Sequence, residues 1–177
     1  MNKSYAVDPD QLQALVAREV NKKMLLIYVI FGLFALLFPV LTHFAAISFL
    51  PTILFALIGL LCYASIKNGT QNLAAALQIT FTDNAVIKTH NKGDLDGLTK
   101  ASMELNSMRH GQKFDCVIPF RKISNLEIDE NGIKIYSTDA DIFNDNGTIK
   151  IPKEIMDYSE ILTYVKANPE IYKMQNY

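Results

Sequence analysis

No aspartate, glutamate, lysine or arginine occurs between Met24 and Ile66. About 20 mostly apolar residues in helical form cross the hydrocarbon core of a bilayer. The uncharged stretch is therefore long enough to cross twice and turn, and its excess over one crossing is more than tilting absorbs. A soluble helix normally keeps a polar face, which neither half of this stretch has. Cysteine is scarce as well. Cys62 falls inside the stretch and Cys116 beyond it, so no disulfide is expected, and two lone thiols suit a reducing compartment.

The scarcity extends to chemistry. His90, His110 and Cys116 are the soft-ligand candidates outside the stretch, and they lack the spacing of a zinc site. There is no nucleophile elbow, phosphate-binding loop or dinucleotide fingerprint. No cofactor, metal or catalytic role is expected. A basic excess is missing too, since Lys67 to Tyr177 carries 13 basic and 15 acidic side chains. A near-neutral, slightly acidic domain does not suit nucleic acid, which wants a basic face.

What is present begins with two apolar spans, residues 24–41 and 47–66, joined near Thr42-His43-Phe44. Pro39 closes the first span, and Pro51 stands in the first turn of the second, where a missing N–H is tolerated. Arg18, Lys22 and Lys23 precede the pair and Lys67 follows it. Cations collect on the cytoplasmic side, so both termini are expected in the cytoplasm. These four residues are also the ones expected to make weak contact with lipid headgroups. Gly32 and Ala35 stand in one span and Ala56 and Gly59 in the other, with Gly32 about 12 Å and Gly59 about 11 Å inside the membrane. They are the expected helix-packing positions.

Residues 1–23 read as an unstructured tail, Met1–Val7, followed by a helix that opens at Asp8-Pro9-Asp10, an acid–proline–acid start. Leu12, Leu15, Val16 and Val20 give it an apolar face, which either lies along the membrane or packs on the domain. No apolar core precedes Lys23 to make a cleavable signal. Asn68-Gly69 is the expected stop of the second span, with residues 67–78 as a linker in which the run 72–78, rich in Ala and Leu, is either one more helical turn or plain linker.

The period then changes. Ile79–Phe81, the Thr82-Asp83-Asn84 turn and Ala85–His90 form a hairpin pattern. Residues 91–113 read mainly as a long loop, in which Leu98, Ala101, Ser102, Leu105 and Met108 fit a short amphipathic helix. Loops of that length are often functional. Strands follow at Phe114–Ile118, Ile123–Glu130, Ile133–Tyr136 and Thr148–Ile151, with Asn131-Gly132 as a type I′ turn signal. Asp139–Gly147 reads as an acidic loop without the spacing of a calcium site. Asp157-Tyr158-Ser159-Glu160 resembles a capping box for a helix from Tyr158 to Ala167, which Asn168-Pro169 ends.

Two spans, then strands, then "IPKEIMDYSEILTYVK" resemble the bacterial YcxB-like membrane proteins, whose cytoplasmic part is similar to a pleckstrin-homology (PH) domain. The matching pieces are "ITFT" at Ile79–Thr82, "IPFRKI" at Ile118–Ile123, "IKIYS" at Ile133–Ser137 and "IPK" at Ile151–Lys153. The resemblance implies an α+β membrane protein: a two-helix transmembrane hairpin followed by a PH-like antiparallel β domain, residues 79–177, closed by a C-terminal helix. It implies no defined ligand, and the 91–113 insertion is a departure from it. Phosphoinositide is not expected, because the first strand turn carries an acid and no base, and phosphate recognition needs clustered cations.

The expected function is a membrane-anchored, non-catalytic binding or scaffold module in the cytoplasmic membrane, offering its domain to a protein partner or a second copy. The alternative is an accessory or assembly subunit that contacts a larger membrane complex through its hairpin.

Overall fold

A computed structural model describes residues 2–41, 49–111, 113–141 and 146–172. The expected turn at Thr42-His43-Phe44 lies outside the described residues. The chain is α+β and divides into two compact units. One comprises Ala14–Gln71; the other combines Met1–Gln13 with Asn72–Tyr177.

The first surprise is at the N-terminus. Residues 3–6 form strand β1 (Lys3–Ala6), which pairs antiparallel with β2 (Leu77–Phe81) from Lys3↔Phe81 to Ala6↔Gln78. The expected unstructured tail is thus an edge strand of the domain. Tyr5 is buried with its ring edge-on to Phe81, and the hydroxyls of Ser4 and Thr80 meet across the strands at 2.7 Å. Such cross-strand pairs fix register. The Met156 N–H donates to the Ala6 carbonyl and the Asp8 N–H to that of Glu154, which ties the same end to the C-terminal part.

Between β1 and β2 run two long helices, α1 (Leu12–Leu41) and α2 (Phe49–Ala76). Asp8 caps the turn ahead of α1, where its carboxylate accepts from the Asp10 N–H at 3.0 Å. Leu15, Val16, Val20 and Met24 are buried, so this face is covered by protein and is not free to lie on a membrane. Beyond Met24 the character inverts. Leu25, Val29, Leu33 and Phe34 on α1, and Leu50, Leu54, Leu57 and Leu61 on α2, are exposed.

Neither the stop at Asn68-Gly69 nor the linker over 67–78 forms. Helix α2 continues through both and enters β2 directly at Leu77. A helical glycine costs only about 1 kcal/mol against alanine. Thr70, Ala74 and Ala76 are buried, and burial with three successive alanines outweighs that cost. Among the described residues, α2 is long and apolar enough to cross a membrane: an 18-residue window within Leu50–Ala76 has a mean hydropathy of 1.8, and none of that window is buried.

The sheets follow the sequence more closely. Strand β2 turns through Thr82-Asp83-Asn84 into β3 (Ala85–His90), and β3 pairs with β4 (Cys116–Pro119), giving a four-stranded sheet in chain order. A 3₁₀ turn at Phe120–Lys122 leads to the second sheet, β5 (Ile123–Asp129), β6 (Gly132–Asp141) and β7 (Asn146–Pro152), again in chain order. β6 and β7 run into the expected acidic loop from both sides and pair as far as Asp141↔Asn146. The rest of that loop, 142–145, lies outside the described residues.

The insertion contains helix α3 (Gly97–His110), so most of the expected loop is helical. Helix α4 (Tyr158–Ala167) has the expected bounds and buries Ile161 and Val165; a short α5 (Pro169–Tyr172) follows it. The buried face of each sheet supplies the core of this unit: Ile79, Phe81, Val86 and Ile118 from one, Leu126, Ile133, Ile135 and Ile149 from the other. Tyr164 of α4 sets its ring against Phe81, with centroids 5.4 Å apart.

Two turn expectations are corrected. The chain reverses at Glu130-Asn131, with Asp129 opposite Gly132, and Asn131 does not take the positive φ of a type I′ centre. The Asp129 carboxylate accepts from the Asn131 and Gly132 N–H groups at 2.7 and 3.1 Å and makes the turn itself. Asp157 precedes α4 in the left-handed region, φ 54°, without a side-chain cap. Its carboxylate and that of Glu160 instead meet the Lys3 ammonium of β1.

Candidate functional site

The insertion is fixed at both ends. At its start the Asn91 N–H donates to the Ala76 carbonyl, and the Asn91 side chain bridges to Asp94 and Gly93. Asp96 caps α3 by accepting from the Thr99 N–H at 2.6 Å, and its other oxygen accepts from Asn72 Nδ2, on the last turns of α2, at 2.7 Å. The hydrogen bonds from Thr99 hold its carboxyl below the usual carboxylate range. At its end Gly111, φ 63°, closes α3 by donating to the Ser107 carbonyl. Asn146 then clamps the exit, donating to the Gly111 carbonyl at 3.0 Å and accepting from the Lys113 N–H at 2.8 Å.

Between α3 and the segment before β4 lies a cleft of about 360 Å³. Its lining brings three ammonium groups, Lys92, Lys100 and Lys113, against two carboxylates, Glu104 and Asp115, with apolar surface from Leu95, Met103 and Phe114. That mixture suits a partly apolar group bearing an anion, since lysines act as point charges for phosphate or carboxylate.

Behind the cleft, His90 sets its ring edge-on to Phe114, and its Nδ1 lies 3.2 Å from the Asp115 carboxylate. The same Asp115 oxygen accepts from the His90 N–H at 3.0 Å. Burial holds the imidazole below its ordinary range, against the opposing pull of Asp115. Among the described residues, no group of three or more His, Cys, Asp or Glu side chains could hold a metal ion.

The anticipated packing residues are not brought together. A Cβ added to Gly32 or Gly59 would meet no heavy atom within 4 Å. Ala56 is exposed, and the side chain of Ala35 is outside the described set. Helices α1 and α2 meet through aromatic rings instead, where Phe55 stacks on Phe34 at 5.8 Å and stands edge-on to Phe31 at 6.1 Å. Of the anticipated headgroup cations, Arg18 and Lys22 both lie 3.7 Å from Glu19, Lys23 donates to the Thr70 hydroxyl at 3.4 Å, and Lys67 is half-buried.

The cleft itself was not anticipated. Its lysines are spread over 92–113 and become neighbours only because α3 folds back on Phe114. The available signal was the 3- and 4-residue spacing of the α3 apolar positions. No family model, curated protein or solved structure matches the chain, so the site stands on its own chemistry.

Proposed function

We propose that the protein is a membrane-anchored, non-catalytic binding module: α1 and α2 cross the cytoplasmic membrane as a hairpin, and the β-rich unit offers the α3 cleft on the cytoplasmic side. The observation that carries this is the pairing of β1 with β2. These neighbours lie immediately before α1 and after α2, so the chain leaves one sheet and returns to it. If α2 crosses a bilayer, α1 must cross it too, because a single passage would put β1 and β2 on opposite sides. The exposed leucines and phenylalanine of both helices support the same assignment, since lipid is the solvent that tolerates them. The basic flanks at Arg18, Lys22, Lys23 and Lys67 favour the cytoplasm for both ends.

A PH-like identity for the β-rich unit is supported by its four- and three-stranded antiparallel sheets and by the α4 helix that follows them. On this proposal the helical hairpin is an insertion between the first two strands, and α3 an insertion between the third and fourth. The lining of the cleft offers a partly apolar anionic group more than it offers a reaction. A protein partner or a second copy carrying such a group is the proposed occupant.

Extraction tests the anchor. The chain stays with membranes through an alkaline carbonate wash and leaves only with detergent; release by carbonate contradicts the proposal. The second function, an accessory subunit of a larger complex, is favoured by the outward aromatic and aliphatic surface of the helices. Exchange of residues 24–66 for an unrelated hairpin separates the two. Cellular activity survives if the head does the work and is lost if the hairpin is the contact.

A further inference from the structure

The apolar residues of α3 face outward. Thr99 is buried and Met103 and Asn106 are half-buried, so these residues define its inner side. Leu98, Leu105 and Met108 are exposed to 85, 51 and 81%, and Ala101 is exposed with them. From Leu98 through Ala101 and Leu105 to Met108 the steps alternate between three and four residues. With 3.6 residues per turn, these positions span an arc of about 80°. A helix that lies on a core presents a wider apolar face, roughly 100° or more. The width and spacing here are those of the seam between two paired helices.

The charges beside the seam say what covers it. Around the helix, Glu104 lies about 80° to one side of the middle of the stripe and Arg109 about 60° to the other. Both are exposed, and among the described residues neither forms an ion pair. One charge of each sign gives the flanks no preference for an anionic surface. It gives them complementarity to themselves. In two parallel helices joined along such a seam, a residue on one flank meets the residue five positions later on the partner's opposite flank. Glu104 of each copy then faces Arg109 of the other, twice by symmetry. An antiparallel pair would instead set Glu104 beside its own counterpart. The cleft residues Met103 and Ser107 lie on the side away from the stripe, so pairing covers the stripe and leaves the cleft open.

We infer that two copies of this chain pair through α3 as a short parallel coiled coil, with Leu98, Ala101, Leu105 and Met108 along the seam and Glu104–Arg109 ion pairs on both flanks. Two heptads bury little surface, so the pair is reversible. The inference needs only α3 and its own residues and is independent of the membrane anchor proposed above.

The test uses the purified full chain in mild detergent, with Cys62→Ser and Cys116→Ser and a single new thiol at Leu98→Cys, Met108→Cys or, on the cleft side of the same helix, Ser107→Cys. A parallel pair brings Leu98→Cys and Met108→Cys each within disulfide reach of its own counterpart, whereas an antiparallel pair holds the two copies of either thiol about 15 Å apart along the axis. Rates of dimer formation under mild oxidation are divided by each thiol's rate with a small maleimide. Leu98→Cys and Met108→Cys are expected to link several-fold faster than Ser107→Cys. Adding Glu104→Arg is expected to slow Leu98→Cys several-fold, and adding Arg109→Glu to that variant is expected to restore it. Equal rates at the three positions, the result of a stripe covered by detergent or lipid, overturn the inference. So does a rate at Leu98→Cys that ignores Glu104→Arg, or one that stays slow when the two charges are exchanged.

Discussion

Gly132 shows how little freedom one residue can have. Its φ is 143°, and a Cβ there would stand 2.1 Å from the Ile151 carbonyl oxygen. Backbone cannot give way as a flexible side chain can. Gly132→Ala is therefore expected to cost about 2 kcal/mol or more, read as a fall in the thermal midpoint of the detergent-solubilised protein. The Asn131-Gly132 pair was legible as a hairpin. The turn centre was not, because the Asp129 carboxylate shifts the reversal one residue earlier by collecting both N–H groups. His90 yields a second expectation. Its folded pKa lies below the unfolded value because burial disfavours the cation. The neutral form is the one the fold prefers, so this contribution is intact above the unfolded pKa and is lost as pH falls through the folded one. His90→Gln should flatten the decline in thermal midpoint below about pH 6.5. An equally steep decline in the variant would remove His90 from the account.

At the scale of elements, strong periodicity was readable and weak periodicity was not. The β2–β3 hairpin, α4 and the three strands of the second sheet followed from alternation and turn residues. Strand β1 did not, since Tyr5 and Val7 are too short a pattern to stand apart from a tail; its strand state is imposed by pairing with β2. The stop at Gly69 failed for the opposite reason, because tertiary burial of Thr70, Ala74 and Ala76 overrode a local signal. Helix α3 was half legible. Its apolar stripe was visible, but whether that stripe faced in or out was not, and the cleft depends on that choice. The cap at Asp96 is the joint between α3 and α2. Asp96→Ala is expected to speed amide hydrogen exchange at Thr99 and Lys100 several-fold while the β5–β7 sheet keeps its protection, and Asp96→Asn should retain most of the wild-type protection. Unchanged exchange in the alanine variant would show that α3 is held elsewhere.

For the whole molecule, connectivity decides more than composition. Hydropathy marks α2 as able to cross a membrane, and sheet pairing decides what a crossing by α2 would require of α1. Strands β1 and β2 hold the two ends of the helical segment together, so the number of crossings must be even. That constraint was invisible in the sequence, where the length of the uncharged stretch argued for two crossings and the flanking positive charges for which way they face. It is tested by labelling single cysteines in intact cells with a membrane-impermeant maleimide, using His43→Cys between the two spans, Ser4→Cys in β1 and Thr138→Cys in β6. The account predicts that His43→Cys reacts from outside, while Ser4→Cys and Thr138→Cys react only after lysis. Labelling of Ser4→Cys or Thr138→Cys in intact cells, or protection of His43→Cys until lysis, would contradict it.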